Sequence, residues 1–159
     1  MDTASMLAME QRLQQLEALE QIRLLKHRYF NACDLKAVDE IRECFAPGAI
    51  TIDYGPLGIF HDRDSFIALY TRLACQPQVI DLHHGANPEI VLNSPTEAQG
   101  RWALYYFNLD AETGITRQIG GIYEDRYRLT EAGWRMVETR CRIHSTVDGH
   151  TLPGDSSHE

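Results

Sequence analysis

The order of its patterns constrains this chain most: helical periodicity fills the first half, and after Pro77 only strand patterns remain. From about residue 8 to 33, Leu13, Leu16, Leu19, Ile22, Leu25, Tyr29 and Cys33 recur at spacings of three or four. That predicts one long helix with an apolar stripe, and Glu10, Gln11, Gln14, Glu17 and Gln21 supply its wet side. A shorter helix is predicted over 36–45, stopping before Pro47-Gly48. Residues 49–54 read as a strand ended by Gly55-Pro56, and a third helix follows over 64–73 with Asp62 or Asp64 available as its cap. Strand patterns then occupy 79–84, 89–92, 98–109, 115–129 and 134–145, separated by turn-rich segments at 93–95, 110–114 and 130–133. Helices followed by a meander give an α+β fold rather than the alternation of a parallel sheet.

With 159 residues the chain suits one domain with one core. That domain is expected over 1–146, with 147–159 a loose polar tail. A net charge of -8 argues against a nucleic-acid surface, where clustered Lys and Arg are needed. No run approaches the roughly 18 apolar residues of a membrane span, and the opening stretch lacks the pattern of a secretory leader. Cys33, Cys44, Cys75 and Cys141 form no CxxC pair. They read as free thiols in a reducing cytoplasm. The His83-His84…Glu89 cluster lacks the helical spacing of a metal motif, so no metal is expected.

More specific local patterns lie within this frame. Arg28-Tyr29-Phe30, followed by Asp34 shortly before the second helix, is one. His83-x-Gly85-x-x-Pro88-Glu89-Ile90, Gly100-Arg101-Trp102-x-Leu104 and Gly120-Gly121-x-Tyr123-x-Asp125-x-Tyr127 are others. Over roughly residues 8–146 the chain resembles the SnoaL-like branch of the nuclear-transport-factor-2-like, or cystatin-like, superfamily. The likeness is to bile acid 7α-dehydratase in particular, and the Asp–His pair is also similar to that of scytalone dehydratase and lindane dehydrochlorinase. The resemblance implies a cone of N-terminal helices packed in a curved antiparallel sheet. It also implies a cofactor-independent lyase acting on a small-molecule substrate, a homo-oligomer with a trimer favoured and a dimer the alternative, in which Tyr29, Asp34 and His83 match catalytic positions. A fourth catalytic position, an aspartate in the dehydratase, falls on Tyr106 here.

The chemistry suits these residue types. Elimination beside a carbonyl needs a base for the α-proton, and imidazole titrates near working pH. Asp34 would hold the other ring N–H, and a phenol such as Tyr29 or Tyr106 can donate to a developing oxyanion. Plainer roles stand beside these. Asp34 could cap the second helix, and Tyr29 could be a core residue continuing the stripe. Tyr29 and Asp34 lie about 140° apart on an ideal helix, so they serve one pocket only if the helix ends or bends near Cys33.

Alternation over 79–84 puts Ile80, Leu82 and His84 on one face and Asp81 with His83 on the other. In a monomer the apolar face should point inward and favour His84. The resemblance favours His83, and the two agree if the outer face is buried between subunits. Trp102, Leu104 and Tyr106 share a strand face and could line the cavity with Tyr54, although an aromatic strand face is more often plain core. Arg142 and His144 are further substrate-binding candidates, with an Arg142–Glu138 ion pair as the alternative. The same base could serve an enone isomerase, and the same pocket could belong to a ligand-binding domain without catalysis.

Overall fold

The structure is a computed structural model and describes residues 2–151. Helix α1 (Thr3–Asp34) is followed by α2 (Val38–Glu43), β1 (Thr51–Asp53), a short 3-10 turn (Gly55–Leu57), β2 (Ile59–Phe60) and α3 (Arg63–Ala74). Four long strands complete the chain: β3 (Val79–Ser94), β4 (Glu97–Asp110), β5 (Ile115–Thr130) and β6 (Gly133–His150). One six-stranded sheet results, in the order β2-β1-β6-β5-β4-β3. All its pairings are antiparallel except β1 beside β6. This is the α+β arrangement expected from the order of patterns.

Two differences from the sequence reading stand out. The segments 79–84 and 89–92 are one strand, β3, interrupted by a register shift between Ala86 and Glu89. Asn87 adopts φ 51 there and Pro88 needs no ladder hydrogen, so the chain bulges without ending the strand. Strand β6 extends to His150, past the boundary expected at 146, because 145–150 pair with 115–120 of β5. The rest of the expected tail, from 152 on, lies outside the described residues. The register shifts in β3 and between Gly120 and Gly121 of β5 bend the sheet around α1.

The core lies between α1 and the concave sheet face. Ile22, Leu25, Tyr29, Phe30 and Cys33 of α1 pack with Trp102, Tyr123 and Tyr127 of the sheet and with Phe45, Ile52 and Phe66 beside them. The first part of the predicted stripe finds no such partner. Leu13 and Leu16 are 55% and 64% exposed and stay outside the buried cluster. Gly85 is a close-approach position: a Cβ there would stand 2.1 Å from Phe30 Cε2.

A charge sits inside this apolar layer. Lys26, fully buried, places Nζ 2.8 Å from Asp125 Oδ2 and 3.8 Å from the Tyr123 ring centroid. Asp125 also accepts from Thr139 Oγ1 at 2.6 Å and from the Tyr127 hydroxyl at 2.7 Å, which in turn accepts from Trp102 Nε1 at 3.0 Å. Removing one partner of a buried ion pair strands the other. Lys26→Met is therefore expected to lower the unfolding free energy by about 3–5 kcal/mol in urea titrations. A loss under about 1 kcal/mol would show that Asp125 is satisfied without the lysine.

Candidate active site

Helix α1 ends at Asp34, where Leu35 forms the cap and Lys36 turns the chain with φ 58. The end of the helix aims the Asp34 carboxylate at β3. Asp34 Oδ1 lies 2.6 Å from His83 Nδ1, and both carboxylate oxygens accept from the His83 backbone N–H at 3.0 Å. The carboxylate is not the cap of the second helix, whose N-cap, Ala37, makes no side-chain bond. With Nδ1 occupied, Nε2 is the ring nitrogen left for a ligand. The imidazole is wedged between Phe30, stacked at 6.0 Å, and Tyr106, whose ring lies at 4.7 Å.

His83 lines a cavity of about 260 Å³ between α1, α3 and the sheet. Leu57, Phe66, Leu69, Leu73, Val79 and Ile119 make much of its wall apolar. Tyr29, Tyr54, Leu104 and Tyr106 also line it. Tyr29 and Tyr54 hold their hydroxyl oxygens 2.6 Å apart. One proton makes that bond, which leaves the other O–H free to donate. Burial and the neighbouring phenol raise the Tyr29 pKa well above the ordinary tyrosine value, and burial does the same at Tyr54. Both are neutral donors at physiological pH.

The strand faces settle the histidine question for the single chain. His83 faces the cavity, and His84 lies on the outer face beside Tyr105. Ile80 and Leu82 share that outer face and are 49% and 42% exposed. Three other candidates lie elsewhere. Trp102 is fully buried in the core and bonds Tyr127 instead of lining the cavity. Arg142, between the cavity residues Cys141 and Ile143, faces outward, and His144, at the register shift between Ile143 and Ser145, is exposed and does not line the cavity. Arg142 pairs at 2.9 Å with Glu124, which lies diagonal to it on β5, while Glu138 faces Arg126 and Arg140.

Sequence reasoning missed a second polar cluster at this cavity. Asp81 Oδ1 accepts from the Tyr106 hydroxyl at 2.6 Å and from Asn108 Nδ2 at 2.9 Å, and Oδ2 is bound by Lys36. The alternation that paired Asp81 with His83 was the available signal. Burial pushes the Asp81 pKa upward, but the bonds from Lys36, Tyr106 and Asn108 more than offset it, and the carboxyl lies below its ordinary 3.8. A depressed folded-state value gives stabilisation that is complete above 3.8 and lost as pH falls through the folded value. Acid unfolding curves should therefore show Asp81→Asn losing less stability than wild type below about pH 4. Parallel acid limbs would show the Asp81 bonds to be energetically idle.

N-terminal helices packed in a curved sheet, with a carboxylate-bound imidazole at a largely apolar hollow, define the class of α+β protein to which this chain belongs. The SnoaL-like domain family matches residues 14–140, most of the chain, and the protein belongs to that family. Solved structures agree on the fold. A scytalone dehydratase-like protein from Novosphingobium aromaticivorans superposes with a TM-score of 0.78 at 19% identity, over 91% of this chain and 98% of that one. A hexachlorocyclohexane dehydrochlorinase of the LinA type from Novosphingobium barchaimii gives 0.77 at 15% identity, over 89% and 99%. An NTF2-like protein with a cystatin-like fold from Novosphingobium aromaticivorans gives 0.73 at 20% identity, over 91% of each. No helix among the described residues is long and apolar enough to cross a membrane.

Proposed function

We propose that this protein is a cofactor-independent lyase that removes water from a mostly apolar, cyclic or aromatic small molecule bearing a carbonyl group. The observation that carries the reading is the 2.6 Å contact between His83 Nδ1 and Asp34 Oδ1 at the wall of an otherwise largely apolar cavity. Asp34 holds the tautomer in which Nε2 has its lone pair toward the substrate. The Tyr29–Tyr54 pair receives the carbonyl oxygen. Nε2 takes the α-proton, and the C–H electron pair moves toward the carbonyl, where the phenols stabilise the enolate oxygen. As the pair returns to form the C=C bond, the β C–O bond breaks. The imidazolium gives its proton to the departing hydroxyl, and water leaves. The base is regenerated without any other reactant.

Positioned proton transfer accounts for about 10²–10⁴-fold of rate. His83→Ala and Asp34→Asn are each expected to lower turnover of a cyclic β-hydroxy ketone by that order, with unchanged circular dichroism. Full activity in both variants would remove the pair from the mechanism. Running the wild-type reaction in deuterated water separates elimination from isomerisation. Elimination gives a product lighter by one water, whereas isomerisation gives one of unchanged formula that takes up isotope at carbon.

We also propose that copies of this chain cover the outer face of β3 and β4 in a homotrimer. Ile80 and Leu82, with Tyr105, Phe107 and Leu109 across the β3–β4 ladder, form a contiguous apolar surface. An apolar patch of this kind on a small domain marks an association surface. Leu82→Glu should shift the sedimenting species from trimer to monomer, and a monomeric wild type would refute the assembly.

A further inference from the structure

The cavity holds two phenol systems of opposite hydrogen-bonding character. The Tyr29–Tyr54 pair has an O–H left over, so it is a donor. Tyr106 is the reverse. Asp81 is ionised and receives Lys36 on Oδ2 and Asn108 on Oδ1, so it can only accept, and the Tyr106 proton is committed to it at 2.6 Å. What Tyr106 presents to the cavity is an oxygen lone pair. Asp81 is itself buried, and Lys36 reaches it from the left-handed turn that ends α1. The charge is thus neutralised within the protein, and the pocket meets an uncharged acceptor.

An acceptor on the departing hydroxyl would oppose C–O cleavage, which needs a proton delivered to that oxygen. The group that suits Tyr106 is a hydroxyl that stays on the substrate. We infer that Tyr106 is a specificity subsite accepting a hydrogen bond from a retained hydroxyl of the substrate, with Asp81 and Lys36 as the positioning residues that hold it in the acceptor state. This rests on the cavity proposed above and narrows its substrate class to carbonyl compounds carrying a second, non-departing hydroxyl, phenolic ones included. A site built to pair a hydroxyl rejects the analogue that lacks it, because its own polar group is then left unpaired.

Equilibrium binding tests this without turnover, so a chain that eliminates no water can still pass and an active lyase can still fail. The probes are β-naphthol, its methyl ether and naphthalene, each titrated calorimetrically into the wild-type full chain. β-Naphthol should bind about tenfold or more tightly than the ether and the hydrocarbon. Tyr106→Phe should erase that preference, and Asp81→Asn, whose amide can donate to the phenol and turn its proton outward, should reduce it. His83→Ala should retain it. A preference that survives Tyr106→Phe, or that disappears in His83→Ala, would hand the hydroxyl to the imidazole and overturn the assignment. Equal binding of the three probes to wild type, or no binding of β-naphthol, would overturn it as well. Tyr106→Phe keeps the ring, so its comparison with wild type decides the matter even if Asp81→Asn proves unstable.

Discussion

The buried pairing of Lys26 with Asp125 is the constraint on which the rest depends. Apolar packing alone would let α1 slide or roll on the concave sheet with little penalty. An ammonium inside that layer has one acceptable address, and Asp125, already bound by Thr139 and Tyr127, supplies it. Such a pair adds little net stability compared with apolar residues of the same shape, but it discriminates strongly against every other alignment. Its effect here is registry. Once Lys26 is placed, Tyr29 and Phe30 follow one turn later, and Asp34 lies eight residues, roughly 12 Å, along the axis.

That registry assembles the cavity. Phe30 passes under β3 where Gly85 has no side chain and backs the imidazole of His83. Asp34 meets the same residue through its ring and its amide. The cavity therefore has two anionic groups close by, Asp34 and Asp81, and each is tied to protein donors. The residual polarity facing a ligand is set by an imidazole nitrogen, a donating phenol pair and an accepting phenol, against apolar walls. Such prearranged dipoles need little reorganisation when charge develops on a bound molecule.

Much of the architecture was legible in the sequence, because helical and strand periodicities differ and the turns carry Gly, Pro, Asn and Asp. Resemblance singled out Tyr29, Asp34 and His83, of which Asp34 and His83 are in contact and Tyr29 and His83 border one cavity. Alternation within β3 pointed the other way, since Ile80 and Leu82 look like core residues. Alternation reports which face is apolar, and a chain that presents an apolar face outward defeats the rule. An aromatic on a concave strand face serves core or cavity, and Trp102 takes the core role because its indole finds Tyr127. Arg142 and His144 share a face only if alternation runs unbroken, but the register with β5 turns Arg142 outward and shifts at His144, and register cannot be read from one strand. Lys36 was invisible because its reach to Asp81 depends on a left-handed backbone turn. Lys26 did carry a signal, being a charged residue inside the Ile22–Tyr29 apolar stripe.

The contact between Asp34 and the His83 backbone N–H has a consequence unrelated to proton transfer. Strand β3 is the border of the sheet, and His83 points its amide away from β4. Bare amides on such a border are a template for a foreign strand and hence for aggregation. The carboxylate at the end of α1 occupies this one with both oxygens and sets a negative charge where an incoming chain would have to bring its carbonyl. The carboxylate that holds the imidazole in this way also guards the sheet border, and losing it would uncover this amide to an incoming strand.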